Sequence, residues 1–239
     1  MHFNKLIISA LLLLININSN AQALSYTDPA AGYLKVMLEK GDEGSYQLIG
    51  NFKVIGTSYL FGERNNGSAY AGNDKSEDIK LSYNTYNQKV DISLDGANNN
   101  FSKSPSELDS FVINKSGSQY IKEDLLFYSS KIVKPDFKDC FLQVIYHGNK
   151  YSLYKAYTST LDYVSTNYIQ SELRQFTLEF TYYYYDVQTK ELKKIKLSKK
   201  KISDEFKSIM DVSSYLEDDL FNSNPEKAMR LIFAELNKK

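Results

Sequence analysis

Two spacings of apolar residues divide this chain. Between Ile79 and Leu197 apolar and polar positions alternate in short bursts of period two, and after Ser198 they recur three and four apart. The first pattern predicts strands. Ile79–Tyr83 and Val90–Leu94 read as half-buried strands, with Asn84 to Lys89 as the turn between them. Leu108–Ile113 and Tyr120–Tyr128 are further strand candidates, and the second also fits a helix. In Phe141–Lys155 two apolar-aromatic runs flank Gly148-Asn149, a dipeptide that accepts positive φ, so the segment predicts a tight hairpin. Phe176–Tyr185 predicts a strand with Phe176, Leu178, Phe180, Tyr182 and Tyr184 on a core face. Thr177, Glu179, Thr181, Tyr183 and Tyr185 lie on its other face. Glu191–Leu197 is its partner across a polar turn at 186–190. Tyr33–Leu38 reads as a short helix or strand, Gly62–Asp78 as a Gly/Asn-rich loop, and Asp95–Asn100 as a turn.

The second pattern predicts helices. Ile202, Phe206, Ile209 and Met210 form one stripe, and Leu216 and Leu220 suggest another short helix. Asn224-Pro225-Glu226 is a helix start, with a capping Asn, a Pro suited to the first turn and an acid at the positive dipole end. Met229, Ile232, Phe233 and Leu236 follow as its apolar stripe. Strands first and helices afterwards predict an α+β fold: an antiparallel β-sheet-rich domain followed by two or three C-terminal helices, over about 198–239.

The first 23 residues have a separate character. Lys5 precedes an uncharged apolar run, Leu6–Leu14, and Ala21-Gln22-Ala23 closes the segment. That is the pattern of a secretory signal peptide, cleaved after Ala21 or Ala23. The expected organisation is therefore a leader at 1–23 and a single β-rich domain at 24–239. The apolar run is too short for a membrane-spanning helix, which needs about 20 residues, and no later segment approaches that length. A small outer-membrane barrel is disfavoured by the Lys-rich helical end and by strands with charge on both faces. The expected location is the periplasm, or an outer-membrane-associated or extracellular site.

Composition narrows the chemistry. The chain carries 29 Lys and Arg against 29 Asp and Glu, and only Arg64, Arg174 and Arg230 are Arg. Such a balance excludes a general nucleic-acid binder, which needs a basic surplus to displace counterions. One Cys permits neither an internal disulfide nor a Cys-rich zinc site. Once His2 leaves with the leader, His147 is the sole histidine for any Ser–His or Cys–His pair. Cys140 reads as a small buried hydrophobe. Ser152-Leu153-Tyr154-Lys155 matches S-x-x-K, but on a strand those two positions face opposite sides. Asn73–Asp78 and Asp95–Asn100 offer oxygen ligands without EF-hand spacing, so neither a metal nor a cofactor is expected. No catalytic residues are assigned. Glu172 and Glu179 are the acids to inspect for a glycosidase pair.

Several segments together carry a resemblance. Gly56-Thr57-Ser58-Tyr59-Leu60-Phe61 is followed by Leu81-Ser82-Tyr83-Asn84-Thr85-Tyr86, then by the hairpin, the Tyr-ended strand and the Lys-rich helical end. This resembles a group of small secreted proteins of unknown function from Bacteroidetes, which read G-S-P-Y-L and R-Y-N-x-Y at these places. Ser58 stands where Pro is usual and Ser82 where Arg is usual. The likeness covers roughly residues 50 to 239. It implies an envelope location in a Gram-negative cell and a β-rich domain with a helical end, and it transfers no catalytic residue.

Two biases remain. Residues 190–201 hold seven Lys and one acid, Glu191. They suit either an anionic partner or a solvated sheet edge, where Lys deters edge pairing and Glu217-Asp218-Asp219 supplies countercharge. Ten of the 20 Tyr fall between Tyr146 and Tyr185. Thr181, Tyr183 and Tyr185 form the candidate binding surface, because exposed Tyr offers a stiff, amphipathic area for sugar rings or protein. The expected function is a secreted cell-envelope protein, a non-catalytic binding or structural module whose partner is an envelope protein or glycan. The alternative is an envelope hydrolase acting on glycans through carboxylates that sequence does not place.

Overall fold

A computed structural model of the chain describes residues 38–40, 46–48, 53–93, 100–116, 121–163, 173–217 and 219–238. The leader at 1–23, the turn at 95–99 and residues 33–37 lie outside the described residues. The chain is β-rich, and its helices are mostly C-terminal. It forms two compact units, Met1–Thr57 with Leu161–Thr177, and Ser58–Thr160 with Leu178–Lys239.

In the first unit β1 (Leu38–Lys40) and β2 (Tyr46–Leu48) pair antiparallel. β3 (Lys53–Ile55) runs parallel to the start of β12 (Leu173–Asp186). The large sheet is therefore mixed, not purely antiparallel as its hairpin-like pattern suggests.

Most of that sheet lies in the second unit, which holds β12 from Leu178 onward with β4 (Tyr59–Ala71), β5 (Asp74–Asn84), β6 (Lys89–Ser93), β7 (Asn100–Lys103), β8 (Ser110–Ile113), β9 (Leu125–Ser129), β10 (Phe141–Tyr146), β13 (Glu191–Ile195) and all but the last three residues of β11 (Tyr151–Tyr163). Its strand order is β13-β12-β11-β10-β9-β8-β4-β5-β6-β7. A one-turn helix, α1 (Ser130–Val133), separates β9 from β10. Of the candidate at 120–128, Leu125–Tyr128 is strand and continues to Ser129 as β9, residues 121–124 are not, and Tyr120 lies outside the described residues.

The expected loop at Gly62–Asp78 is instead most of the β4–β5 hairpin, turning at Gly72-Asn73. Its polarity has a physical source. Between Gly62 and Asp78 only Gly67 and Ala69 are buried, and the register breaks between Leu60 and Asn65. In that bulge Phe61, Gly62 and Arg64 take φ of 59°, 85° and 57°. The Asn65 amide donates to Gly62 O at 3.0 Å, and Arg64 N–H donates to Ser82 Oγ at 2.9 Å. Gly and Asn are there to make and cap a bulge, which imitates loop composition.

Bulges bend a sheet, and here the bend brings strands together. Thr85, just past β5, meets Ser159 on β11, although β4, β8, β9 and β10 lie between the two strands in the sheet order. Ser159 N–H donates to Thr85 O at 3.1 Å, the two hydroxyls lie 2.6 Å apart, and the Gln88 amide donates to Tyr157 O at 2.9 Å. Inside the curl Tyr83, Phe111, Phe127 and Phe141 are fully buried. Phe111 stacks on Phe127 at 4.6 Å, and Tyr83 meets both edge-on at 5.4 and 5.6 Å. Burying each ring stabilises the fold by roughly 2–3 kcal/mol. The Tyr83 and Tyr157 hydroxyls donate to Gln88 and Gln143, each at 2.7 Å, so neither is buried without a partner.

Four helical segments follow: α2 (Lys199–Phe206), α3 (Ser213–Glu217), α4 (Asp219–Ser223) and α5 (Pro225–Leu236). The expected start of α5 is present, since Asn224 Oδ1 accepts from Lys227 N–H at 3.0 Å. Ile202, Phe206, Met229, Ile232 and Phe233 pack with Leu153, Tyr182, Tyr184 and Ile195 of the sheet as a second core.

The β10–β11 hairpin is present, but Gly148 is not in the left-handed region. Its requirement is space. A Cβ there would fall on the Asn237 side chain. Asn237 follows α5, and its Oδ1 accepts from Lys150 N–H at 2.8 Å and Tyr151 N–H at 3.1 Å. Its Nδ2 donates to Tyr151 O at 2.9 Å and Phe233 O at 2.7 Å. One side chain thus fastens the helix end to the hairpin. Gly148→Ala is expected to cost about 1–3 kcal/mol in urea denaturation, and distinctly less in an Asn237→Ala background. Equal costs in both backgrounds would contradict this contact.

Candidate functional site

Strand β12 places the three residues singled out in the sequence on one side of the sheet. Thr181, Tyr183 and Tyr185 are each half-buried. The two tyrosines pack on a third cluster made of Cys140, Leu142, Tyr154 and Ala156. Phe137, from the loop after α1, meets Tyr183 edge-on at 5.2 Å. Burial, and then the neighbouring Cys140, raise the Tyr183 hydroxyl above its ordinary pKa. Across the ladder Tyr183 pairs with Lys194 and Tyr185 with Leu192 on edge strand β13. The outcome is a fixed aromatic ledge with partly open rings, not the fully displayed pair that alternation suggests.

The opposite side of β12 also departs from expectation. Tyr182 and Tyr184 are buried, but Leu178 and Phe180 are 48% and 55% exposed. The helical layer covers only the end of the strand that carries Tyr182 and Tyr184.

On that side lies an arrangement that local pattern did not reveal. Lys155 on β11 projects between the two cores. Its Nζ lies 4.4 Å from the Phe180 ring centre, 5.1 Å from Tyr157 and 5.3 Å from Tyr182. It donates to Glu226 Oε1 at 2.6 Å, and the Tyr182 hydroxyl donates to the same oxygen. Burial pushes the Glu226 carboxyl up, but the hydrogen bonds from Lys155 and Tyr182 and the Lys155 charge outweigh it, so the net shift is downward. Read locally, Glu226 serves the helix dipole. Its partner lies 71 residues away, beyond any local signal.

A cleft of about 530 Å³ adjoins this pair, lined by Lys122, Glu123, Asn224, Glu226, Lys227 and Arg230 among others. Arg230 binds Glu123 through both terminal nitrogens. Two carboxylates share the cleft, but each is matched to a cation, and Glu226 is held ionised. A glycosidase acid needs the reverse, a carboxyl kept protonated by its surroundings.

The remaining candidates take structural partners. Burial pushes the Cys140 thiol up to about 11, so it stays protonated among apolar neighbours. His147 Nδ1 lies 3.4 Å from Ser152 Oγ, but that hydroxyl also contacts Gly148 N and O at 3.2 and 3.3 Å, which fixes the turn. Ser152 and Lys155 take separate partners. Glu179 is exposed, and Glu172 lies outside the described residues. Residues 74–78 open β5, where Lys75 pairs with Glu77 at 2.5 Å. Among the described residues no three His, Cys, Asp or Glu side chains come together as metal ligands. No helix among them is long and apolar enough to cross a membrane.

Comparison with family models, curated proteins and solved structures found no match to this chain.

The Lys155–Glu226 pair sets a pH dependence. A carboxyl held below its unfolded value of about 4.3 contributes fully above that value and loses its contribution as pH falls through the folded value. Glu226→Gln is expected to be about 1–3 kcal/mol less stable than the parent near neutral pH. In urea midpoints that gap should close in acid. A gap of constant size down to the acid transition would contradict the pairing.

Proposed function

We propose that the mature chain is a non-catalytic binding or structural module of a cell envelope, an α+β domain that offers the Thr181, Tyr183 and Tyr185 side of β12 to an envelope protein or glycan. The observation that carries this reading is the half-burial of both tyrosines on the Cys140 cluster. Each ring is held from beneath and still keeps open surface, so little side-chain entropy is lost when something packs on it. Support for export comes from the leader pattern of residues 1–23 and from the resemblance to secreted Bacteroidetes proteins, which also supports a periplasmic or outer-membrane-associated location. The hydrolase alternative draws on the two carboxylates of the α5 cleft, and their cationic partners weigh against it.

The test is a photo-crosslinking amino acid at Thr181, with the same group at Lys89 on β6 as control, in the tagged full-length chain expressed in a Gram-negative host. Position 181 should yield a discrete adduct in the envelope fraction, and Thr181→Arg should weaken capture with no fall in Tm. Equal capture from Lys89, or an unchanged yield with Thr181→Arg, would remove this face from the account. Release of reducing sugar from envelope glycans would favour the hydrolase.

A further inference from the structure

Beside the aromatic ledge runs the chain's densest positive charge. β13 is the last strand of the sheet, and it carries Lys194 directly opposite Tyr183. Lys190 precedes it, Lys196 follows it, and Lys199, Lys200 and Lys201 open α2. All six of these lysines are exposed. Among the described residues, the one ion pair formed within 190–201 is Lys193 with Glu191, at 3.2 Å.

Edge protection explains Lys194 and Lys196 but not the others. Lys190 sits at φ 57°, a left-handed position at which Gly or Asn is cheaper. Lys199, Lys200 and Lys201 occupy the first turn of α2, on the helical side of the sheet, where the helix dipole is already positive, and they add to the field of the edge without joining the tyrosine face. That turn contains no acid, and the Ser198 side chain makes no capping bond. Local preferences are thus set aside twice within twelve residues, each time to place a cation. Concentrated departures of this kind mark function more often than folding.

The layout indicates the ligand's shape. Tyr183 and Tyr185 are a two-residue step apart on β12, about 7 Å, and Lys194 stands opposite Tyr183 with Lys196 just past the end of β13. A pair of stepped aromatic rings flanked along one edge by cations matches a linear polymer with ring faces and negative charge. Tyr183 and Tyr185 are half-buried and present only part of each ring, unlike the broad apolar face of an interfacial membrane anchor. We infer that the β12–β13 edge, Tyr183 and Tyr185 with Lys190, Lys194 and Lys196, binds an acidic polysaccharide. The inference rests on the reading of the Thr181 side as a binding surface.

The test uses the full mature chain and polygalacturonate, with neutral dextran and phosphatidylglycerol-containing vesicles as alternative ligands. Polygalacturonate should bind, more weakly as salt rises, and dextran should not. Lys190→Gln/Lys194→Gln/Lys196→Gln should weaken binding by about tenfold or more, while Lys75→Gln/Lys89→Gln/Lys115→Gln, which removes equal charge elsewhere, should change it by less than about threefold. Tm should be kept in both variants. Equal loss in the two variants would reduce the effect to net charge and overturn the inference, as would binding to vesicles alone or to none of the ligands. If the Thr181 crosslink forms while polygalacturonate fails to bind, the ligand class is wrong and the surface stands. If both fail, the surface itself is wrong.

Discussion

One face of β11 is buried by two different cores, and the second unit depends on how they meet. Tyr157 belongs to the ring-filled interior of the curled sheet and Leu153 to the helical layer, with Lys155 between them. A cation placed there needs a partner, because an unpaired buried charge is strongly destabilising. Glu226 is that partner, and it fixes the first turn of α5 against the strand. Asn237 fixes the far end of the same helix to the β10–β11 turn. A helix tied at both ends by specific polar contacts has one register on the sheet, which apolar packing alone specifies less sharply.

The half-open tyrosines follow from that arrangement. Helices cover the Tyr182 and Tyr184 side of β12, so the sheet's other side is left to α1, its following loop and the Cys140 cluster. Those elements are short, and they bury Leu142 and Tyr154 without closing over Tyr183 and Tyr185. The charge distribution has the same origin. β13 is one end of the sheet, and its lysines lie along a strand with no neighbour on its outer side among the described residues.

Features fixed by neighbouring residues were legible in the sequence. The β10–β11 hairpin, the β12–β13 pair and the Asn224 cap all rest on contacts a few residues apart. The β4–β5 hairpin was not, because the residues that build a bulge also compose loops. Gly148 was read correctly as a turn residue for the wrong reason, since the group that needs its missing Cβ lies 89 positions later at Asn237. Alternation placed Leu178 and Phe180 inside, but period two reports only which side a residue takes. Whether that side is covered depends on helices encoded elsewhere. Thr181, Tyr183 and Tyr185 were assigned to one face by the same rule, and their partial burial came from Phe137 and Cys140, which no spacing connects to them.

On the proposed reading, ligand contact is confined to the β12–β13 edge. Amide shift mapping of the isotope-labelled mature chain, titrated with short polygalacturonate oligomers, addresses this directly. Perturbations should cluster at residues 181–201, with little change around Lys122, Lys227 and Arg230 at the α5 cleft. Shifts centred on that cleft, or spread over every exposed lysine, would contradict it.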